Sequence, residues 1–508
     1  MIPGLNQMSD LIREFCVGDE DYLRDESRRV GSAEFIAFPK SESDLIDVVK
    51  ETAAKGGFIT TQGARTGITA SAVPEGGLIL NLSRMKKVGG FRRDESTGKS
   101  FLSVEPGVLL DEIRDVVQSE NLFFPPDPTE SSASIGGMVA CNASGAMSFY
   151  YGSTRRWVNA LRVVLSDRSV VELKRGEQMS VGRSFRLTTT SGRVIEGRLP
   201  SYVIPDVKNA AGYYVADNMD MIDLFIGMEG TLGVITEIEL ELIRKPAAVL
   251  ALTAFLPCEE AAIKFVRKLR SMANSRARLV ALEFFNNGAL NLLRTARETH
   301  AAFSDLPALP QKFNSAVYVE FHADDEEMLD DKIMVVAELI AELGGSEDDC
   351  WCATTPQELE KLHLFRHATP ELVNMQIDER RKIQPELTKL GTDMSVPDCE
   401  LENVMSMYNA GLKASNLEYV IFGHIGNNHV HVNIIPKNME EYAAGKKLYL
   451  DWARQVVSLG GSVSAEHGIG KIKVPFLKLM YGEVHVAEMK KLKLLFDPTG
   501  ILNPGNLF

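Results

Sequence analysis

The chain has 508 residues, which is enough for two or three domains, each with its own core. Its 45% hydrophobic and 24% charged residues exclude a disordered or fibrous class. The net charge of −14 argues against a nucleic-acid partner, because phosphate binding needs a basic face.

The chain carries no sign of export or of membrane insertion. Residues 1–15 lack the basic and apolar segments of a secretory signal, and no run reaches the roughly 18 apolar residues of a membrane helix. The six cysteines form no C-x-x-C pair, so we expect neither disulfides nor an iron–sulfur cluster. The sequence therefore predicts a cytoplasmic protein with reduced cysteines.

The first predicted elements alternate between helix and strand. Residues 41–57 have helical apolar spacing, and 58–63, 77–83 and 100–107 are short β-rich runs bounded by glycine or proline. An alternating strand within 229–246 closes this part. The pattern predicts an α+β domain.

A second pattern follows residue 246 and favours one antiparallel sheet with helices on a face. Its predicted strands are 248–256, 277–285 and 315–323, and its predicted helices are 258–273, 287–300 and 325–345.

Three segments result from this division. We predict domains at 1–245 and 246–460 and a turn-rich C-terminal segment at 461–508. The end of that segment, "LFDPTGILNPGNLF", is either frayed or docked onto another part of the protein.

Three glycine clusters lie at 62–77, 125–155 and 225–236. Glycine lets backbone N–H groups approach a ligand closely, and several such groups form a site for phosphate oxygens. The chain contains neither a G-x-G-x-x-G dinucleotide fingerprint nor a phosphate loop of the G-x-x-x-x-G-K-[ST] type. A bound nucleotide would therefore be held in another way.

Three of the nine histidines fall in "GHIGNNHVHVNII", at residues 423–435. In an extended strand His429, His431 and Asn433 point to one side, and His424 precedes them across a glycine turn. Imidazoles from a strand and its preceding loop can bind a metal if a carboxylate joins them, and Glu466 is the candidate. Such ligands suit zinc, manganese or iron alike.

Nine motifs in order carry a resemblance to a known family. They are "TQGARTGITASAVP", "LNLSRM", "PPDPTESSASIGGMVACNASG", "YYGSTR", "KNAAGYY", "GMEGTLGVIT", "GHIGNNHVHVN", "GSVSAEHGIGKIKVPFL" and "FDPTGILNPGNLF". The chain resembles the FAD-linked 2-hydroxy acid dehydrogenases of the vanillyl-alcohol oxidase type. The resemblance implies an FAD-binding domain of two α+β subdomains, a ferredoxin-like substrate domain and a C-terminal tail that returns to the flavin.

The resemblance also implies where FAD binds. The pyrophosphate would lie on the backbone of residues 63–67, a loop that lacks the histidine found where flavin is attached covalently, so we expect non-covalent FAD. The implied flavin residues are Gly63, Ala64, Arg65, Thr66, Gly67, Pro126, Asp127, Ser134, Gly136, Gly137, Asn142, Gly145, Gly152, Ile235 and Asn503.

For the reaction, the resemblance implies His424, His431 and Glu466 as ligands of a divalent metal and His467 as the catalytic base. Arg366 resembles the arginine that binds the substrate carboxylate. Many relatives read "GDGNLH" where this chain reads "GNNHVH", so His429 is either a neighbour of the ligands or an alternative ligand.

A small 2-hydroxy acid is the expected substrate. D-Lactate is favoured because Gly391 and Thr392 precede Asp393, and Lys389 lies too early to match the lysine of D-2-hydroxyglutarate enzymes. D-2-Hydroxyglutarate comes next, since Arg380, Arg381 and Lys382 from a predicted loop could meet its second carboxylate. Glycolate is the other alternative that the resemblance implies.

The electrons must leave to an external acceptor. The resemblance implies an electron-transferring flavoprotein, an iron–sulfur subunit or a quinone, and a homo-oligomer is expected. Two other classes stay open at this point: a metal-dependent hydrolase that uses the His–Glu cluster, and a non-catalytic flavin relay subunit. Arg366 and His467 argue against the relay, which needs neither.

Overall fold

The computed structural model describes residues 10–272 and 277–508. Residues 1–9 of the N-terminal segment and Ala273, the end of the helix predicted at 258–273, lie outside this range. Within the described ranges, no helix is both long and apolar enough to cross a membrane. The fold is α+β, as the sequence predicts.

A small sheet with the strand order β1-β2-β4-β3 opens the described chain. β2 and β3 each pair in parallel with β4, and β1 pairs antiparallel to β2. The helix α1 begins where the Ser41 hydroxyl accepts a hydrogen bond from Asp44 N at 3.1 Å. The elements are β1 (Ile12–Glu14), β2 (Phe35–Ala37), α1 (Glu42–Ala54), β3 (Ile59–Gln62) and β4 (Leu78–Asn81).

A second sheet has the order β5-β6-β12-β8-β9, with β7 also paired to the long central strand β12. β10 and β11, which follow β9 in sequence, form a separate antiparallel hairpin. The elements are β5 (Val88–Arg93), β6 (Ser100–Val104), α2 (Leu110–Ser119), β7 (Leu122–Phe123), α3 (Ile135–Cys141), α4 (Ser148–Tyr151), β8 (Val158–Val164), β9 (Val170–Lys174), β10 (Ser184–Thr188), β11 (Val194–Arg198), α5 (Ile222–Phe225) and β12 (Val234–Arg244).

The third sheet is antiparallel throughout and has the order β16-β13-β15-β14-β18-β19-β17. Its elements are β13 (Ala248–Leu256), α6 (Glu259–Ser271), β14 (Arg278–Asn286), α7 (Asn287–Thr299), β15 (Ser315–Ala323), α8 (Glu327–Glu342), β16 (Trp351–Ala353), α9 (Pro356–Arg381), β17 (Leu390–Gly391), α10 (Leu401–Ser415), β18 (Tyr419–Gly423), β19 (His431–Ile434), α11 (Met439–Ser458) and α12 (Val474–Phe496).

The buried apolar residues form one large cluster that joins the second and third sheets, and a smaller one beneath the first sheet. The predicted division at 245–246 falls between β12 and β13. We call residues 10–244 the N-terminal region and residues 248–508 the C-terminal region; the division into domains stays a prediction.

Two helices differ from the sequence-based expectation. The predicted loop "DERRKIQ" is wrong in part, because Arg380 and Arg381 form the last turn of α9 and Lys382 ends it. The segment predicted as turn-rich contains α12, which has Pro475 in its first turn and which Gly482 interrupts with a φ of 75°. Flanking glycines and prolines concealed this helix in the sequence.

The C-terminal tail is docked rather than frayed. Ile59 N donates to Ile501 O, and Asn503 N donates to Ile59 O, both at 2.8 Å, so the tail extends the edge of the first sheet beside β3. Leu502 is 1% exposed and belongs to the smaller core cluster.

We predict that Leu502→Ala lowers the free energy of unfolding by about 2–4 kcal/mol, because it leaves a cavity between the tail and the first sheet. Urea denaturation followed by circular dichroism measures the change. Leu494→Ala is the control, since Leu494 is 53% exposed and its truncation should cost less than about 0.5 kcal/mol. Equal effects of the two changes would show that the tail does not contribute to the core.

Candidate functional site

One cavity of about 460 Å³ is lined by both regions of the chain. The N-terminal region contributes the three glycine clusters, and the C-terminal region contributes α9, β17, β19 and Glu466 with His467. Asn503 of the docked tail completes the wall. Most of the site residues predicted from the sequence therefore line one cavity.

The loop at residues 63–67 offers free hydrogen-bond donors to this cavity. In the described part of the chain, the backbone N–H groups of Arg65, Thr66 and Gly67 have no protein acceptor, although all three residues line the cavity. The Arg65 guanidinium packs 4.5 Å from the centroid of the Tyr22 ring. Successive N–H donors next to an arginine fit a pyrophosphate.

The glycines of the wall let its loops pack closely. A Cβ on Gly63 would lie 2.1 Å from Ser134 Oγ, and one on Gly145 would lie 1.6 Å from Asp127 O. Gly145 excludes any side chain because the clash is with backbone, whereas a Cβ at Gly63 would require the Ser134 hydroxyl to rotate away.

Twelve of the fifteen predicted flavin residues lie in the wall, and Pro126, Asn142 and Gly152 do not. The twelve are Gly63, Ala64, Arg65, Thr66, Gly67, Asp127, Ser134, Gly136, Gly137, Gly145, Ile235 and Asn503.

The three predicted metal ligands converge on one point of the cavity. Glu466 Oε1 lies 3.2 Å from His424 Nε2 and 3.3 Å from His431 Nε2. Neighbouring ligands of a tetrahedral zinc ion lie about 3.4 Å apart, so the spacing fits a shared cation.

In both imidazoles the Nδ1 atom, on the other side of the ring from Nε2, has its own hydrogen-bond partner. His424 Nδ1 lies 2.8 Å from Glu283 Oε1, and His431 Nδ1 lies 2.9 Å from the carbonyl oxygen of Thr392. Acceptors at both Nδ1 atoms keep a hydrogen there, so each Nε2 is the nitrogen that can bind a cation once it has lost its own hydrogen. The donor set therefore fits a divalent cation.

Electrostatic interactions favour the charged forms of both His424 and Glu466. Burial lowers the pKa of His424, but Glu283 and Glu466 outweigh it and raise that pKa to about 9. Burial likewise raises the pKa of Glu466, but His424 and Lys208 outweigh it and hold that pKa well below its usual range. A cation that binds here must displace the proton of His424.

His467 lies beside the same carboxylate. Its Nε2 is 3.4 Å from Glu466 Oε1, and its Nδ1 is 3.3 Å from Oδ2 of the fully buried Asp393. Burial lowers the pKa of His467, and Asp393 opposes that effect only in part. The neutral imidazole can therefore accept a proton near neutral pH.

His429 is fully buried, and its ring centroid lies 4.5 Å from that of His431. Its Nε2 is 3.1 Å from Asp393 Oδ1, but neither ring nitrogen makes a hydrogen bond within the described residues. Burial holds its pKa well below the usual range. It lies close enough to His424, His431 and Glu466 to be a fourth ligand. His429 therefore remains either a neighbour of the ligands or an alternative ligand, as the sequence predicts.

Arg366 extends from α9 into the cavity. Its Nη2 lies 3.1 Å from Asp127 Oδ2, and Arg114 also binds that carboxylate. The buried Nε of Arg366 has no partner among the described residues. Asp127, predicted from the sequence as a flavin contact, thus also orients Arg366.

Sequence reasoning missed two groups on the other oxygen of Glu466. Lys208 Nζ lies 2.6 Å and Ser144 Oγ 3.1 Å from Glu466 Oε2. Both belong to quoted motifs, but nothing in those motifs indicates a partner more than 250 residues away. Asp393, which accepts from Lys473 Nζ at 2.6 Å, was likewise not assigned a role.

The expectation that Arg380, Arg381 and Lys382 could meet a second carboxylate is wrong. Arg380 pairs with Glu418, Arg381 donates to Leu387 O, and Lys382 pairs with Glu379, so none of the three lines the cavity. Lys389, which the sequence discounted, does line it.

We predict that Gly145→Ala lowers the flavin content of the purified protein at least tenfold, because its Cβ would displace the Asp127 carbonyl from the wall. Gly90→Ala in β5 is the matched control, since a Cβ there meets no atom within 4 Å. Absorbance of the released flavin per protein measures the effect. Full flavin content in Gly145→Ala would contradict the assignment of this wall.

Comparison with known proteins identifies the family of the chain. Residues 245–507 match the family described as FAD linked oxidases, C-terminal domain, and residues 33–174 match the FAD binding domain family. The chain is 28% identical to the D-lactate dehydrogenase of Anaerostipes hadrus, over 97% of this chain and 94% of that one. It is 26% identical to the D-2-hydroxyglutarate dehydrogenase of Stutzerimonas stutzeri, over 93% and 90%.

A third relative, the glycolate oxidase subunit GlcD of Bacillus subtilis, is 28% identical over 89% of this chain and 83% of its own. Among solved structures, an alkyldihydroxyacetonephosphate synthase superposes with a TM-score of 0.65, covering 98% of this chain and 83% of its own at 14% identity. That likeness concerns the fold. Because a single family covers more than half of the chain, the protein belongs to the FAD-linked oxidases and is an FAD-dependent oxidoreductase.

Proposed function

We propose that the protein oxidises a D-2-hydroxy acid to the 2-oxo acid, with FAD as the first electron acceptor and a divalent cation at the His–Glu cluster. The observation that carries this proposal is the meeting of Arg366, His467 and Glu466 in the cavity that the glycine loops line. Relatives named for D-lactate, D-2-hydroxyglutarate and glycolate support the substrate class.

Arg366 binds the substrate carboxylate. Its guanidinium is always charged and can donate two parallel hydrogen bonds, and its Nε is buried without a partner within the described residues. Asp127 holds Nη2 and so limits the rotation of the guanidinium. The substrate is thereby oriented with C2 toward the histidines.

His467 removes the hydroxyl proton. The Asp393 carboxylate, 3.3 Å from Nδ1, favours a hydrogen on that nitrogen, so Nε2 receives the proton as the carbonyl bond forms and the C2 hydrogen leaves with its electron pair. FAD, when bound, supplies the acceptor for that hydride, which no side chain can take.

His424, His431 and Glu466 would hold the cation. When bound, it would lower the pKa of the substrate hydroxyl and polarise the developing carbonyl. The imidazole and carboxylate donors suit zinc, manganese or iron.

FAD is proposed to be held without a covalent bond, because the loop at 63–67 contains no histidine. Cys141 also lines the cavity, but burial raises the pKa of its thiol to about 12 and keeps it unreactive. The electron acceptor is proposed to be an electron-transferring flavoprotein, an iron–sulfur subunit or a quinone, and a cytoplasmic homo-oligomer stays a prediction.

The family assignment leaves no support for a metal-dependent hydrolase, which would have no use for the glycine loops. A non-catalytic relay is disfavoured because Arg366 and His467 both face the cavity.

We predict that an anaerobic sample of the protein has a flavin absorption band at about 450 nm and that a D-2-hydroxy acid bleaches this band. The sequence favours D-lactate, and D-2-hydroxyglutarate is the second acid to add. In His467→Ala the band should persist and bleach at least about 100-fold more slowly, because the base is lost. His485→Ala is the control, since His485 pairs with Glu488 on another surface. A yellow protein that neither acid bleaches would reject the proposed substrate class.

For the cation, we predict that Glu466→Gln lowers metal affinity at least about 100-fold while flavin content stays constant. The loss of a metal ligand should reduce the affinity more than the loss of a residue that only orients a ligand. Glu283→Gln, which only orients His424, should cost about 10–100-fold. Metal analysis by mass spectrometry and competition with a coloured chelator give both values. Unchanged metal binding in Glu466→Gln would contradict the site.

A further inference from the structure

We infer that His367 binds the substrate carboxylate together with Arg366, and that the hydrogen on His367 Nδ1 is the donor. This inference rests on the proposed function and adds a second residue to the carboxylate site, which that function assigns to Arg366 alone. His367 follows Arg366 directly in α9 and lines the same cavity.

The contacts of Arg366 leave its carboxylate site incomplete. Nη2 of Arg366 carries two hydrogens and meets two acceptors, Asp127 Oδ2 at 3.1 Å and His367 Nε2 at 2.8 Å. A guanidinium donates two parallel hydrogen bonds to a carboxylate only from a pair of nitrogens that includes Nη2. Since Nη2 is engaged, Arg366 offers single donors such as its unpaired Nε, and the second carboxylate oxygen needs another donor.

The same contact determines which nitrogen of His367 carries the hydrogen. A guanidinium can only donate, so His367 Nε2 is the acceptor and holds no hydrogen of its own. Burial and the charge of Arg366 lower the pKa of His367 to about 4, so the ring is neutral near neutral pH. A neutral imidazole keeps one hydrogen, which therefore lies on Nδ1.

This Nδ1 hydrogen is free to bind a ligand. Within the described residues His367 Nδ1 has no hydrogen-bond partner, and the protein does not enclose the atom. The neighbouring carboxylate of Asp127 already accepts from Arg366 and from Arg114. Because polar groups of a half-buried site are rarely left without a partner, the acceptor for Nδ1 comes from what the cavity holds.

The position of His367 favours the substrate over the flavin as that acceptor. α9 and the segment of His467 belong to the C-terminal region, whereas the glycine loops predicted to bind FAD belong to the N-terminal region. His367 thus lies on the wall that carries the residues proposed to act on the substrate. One carboxylate oxygen accepts from Arg366 Nε and the other from His367 Nδ1, while Arg366 supplies the balancing charge.

Three substitutions separate the two nitrogens of His367. His367→Asn keeps an N–H donor at the same place along the side chain as Nδ1, but it removes the acceptor for Arg366. His367→Gln keeps an acceptor at the place of Nε2, but it removes the Nδ1 donor. His367→Leu removes both.

The test uses whichever of D-lactate and D-2-hydroxyglutarate bleaches the wild-type flavin, together with its 2-oxo product. The dissociation constant of the product is measured without turnover, from the change that it makes in the flavin spectrum. We expect His367→Gln and His367→Leu to raise this constant about 10–100-fold, the usual value of a hydrogen bond to a charged group. KM should rise in parallel while kcat changes less than about threefold, because the carboxylate is bound alike before and during the reaction. His367→Asn should stay within about threefold of the wild type in all three values.

Two further variants serve as controls. His300→Gln changes an exposed histidine at the end of α7, outside the cavity, and should alter none of the values. Arg366→Ala should weaken product binding in the same assay, because it removes the charged donor of the carboxylate site.

Each outcome has a separate meaning. If His367→Asn loses as much as His367→Leu while His367→Gln resembles the wild type, His367 only positions Arg366, and the inference is wrong. If none of the three substitutions changes product binding, the inference is likewise overturned while the proposed function stands. If His367→Gln and His367→Leu instead lose their flavin, the Nδ1 hydrogen binds the cofactor and not the substrate. If neither acid bleaches the wild-type flavin, the proposed function fails and takes the inference with it.

Discussion

The buried carboxylate of Glu466 is the interaction on which the site depends. One oxygen faces His424, His431 and His467, and the other accepts from Lys208 and Ser144. A carboxylate removed from water is costly unless every lone pair is matched, and removing one partner of such a pair costs about 3–5 kcal/mol. Since Lys208 and Ser144 belong to the N-terminal region, the two regions must be correctly assembled before this residue is satisfied.

A second buried carboxylate joins the same regions in the wall of the cavity. Glu229 accepts from Ser71 Oγ at 2.9 Å and from the backbone nitrogens of Ile469 and Gly470 at 2.7 and 2.6 Å. Its own carbonyl accepts from Asn503 of the tail. The segment that carries His467 is thereby fixed to a glycine loop and to the docked C terminus, which explains why residues far apart in sequence share one wall.

The sequence was most informative where spacing is local. Periodicity was enough for α1, α7 and β13–β15, and ordered motifs were enough for the cluster of His424, His431 and Glu466. It was less informative for α9 and α12, because Pro370 and Gly482 interrupt their patterns. It could not reveal Lys208 or Asp393, whose importance comes only from distant partners. Lys389 was discounted by its offset from Asp393, and the structure places it in the cavity wall.

The basic residues near the cavity differ in how completely they are paired with carboxylates of the protein. Lys208 and Lys473 are buried against Glu466 and Asp393, where they fix carboxylates that in turn orient histidines. Arg366 is only partly matched, since Asp127 takes one nitrogen and leaves Nε unpaired within the described residues. Lys389 has no protein partner there at all. The paired bases therefore orient the carboxylates of the site, whereas Arg366 and Lys389 keep nitrogen donors that are unpaired within the described residues.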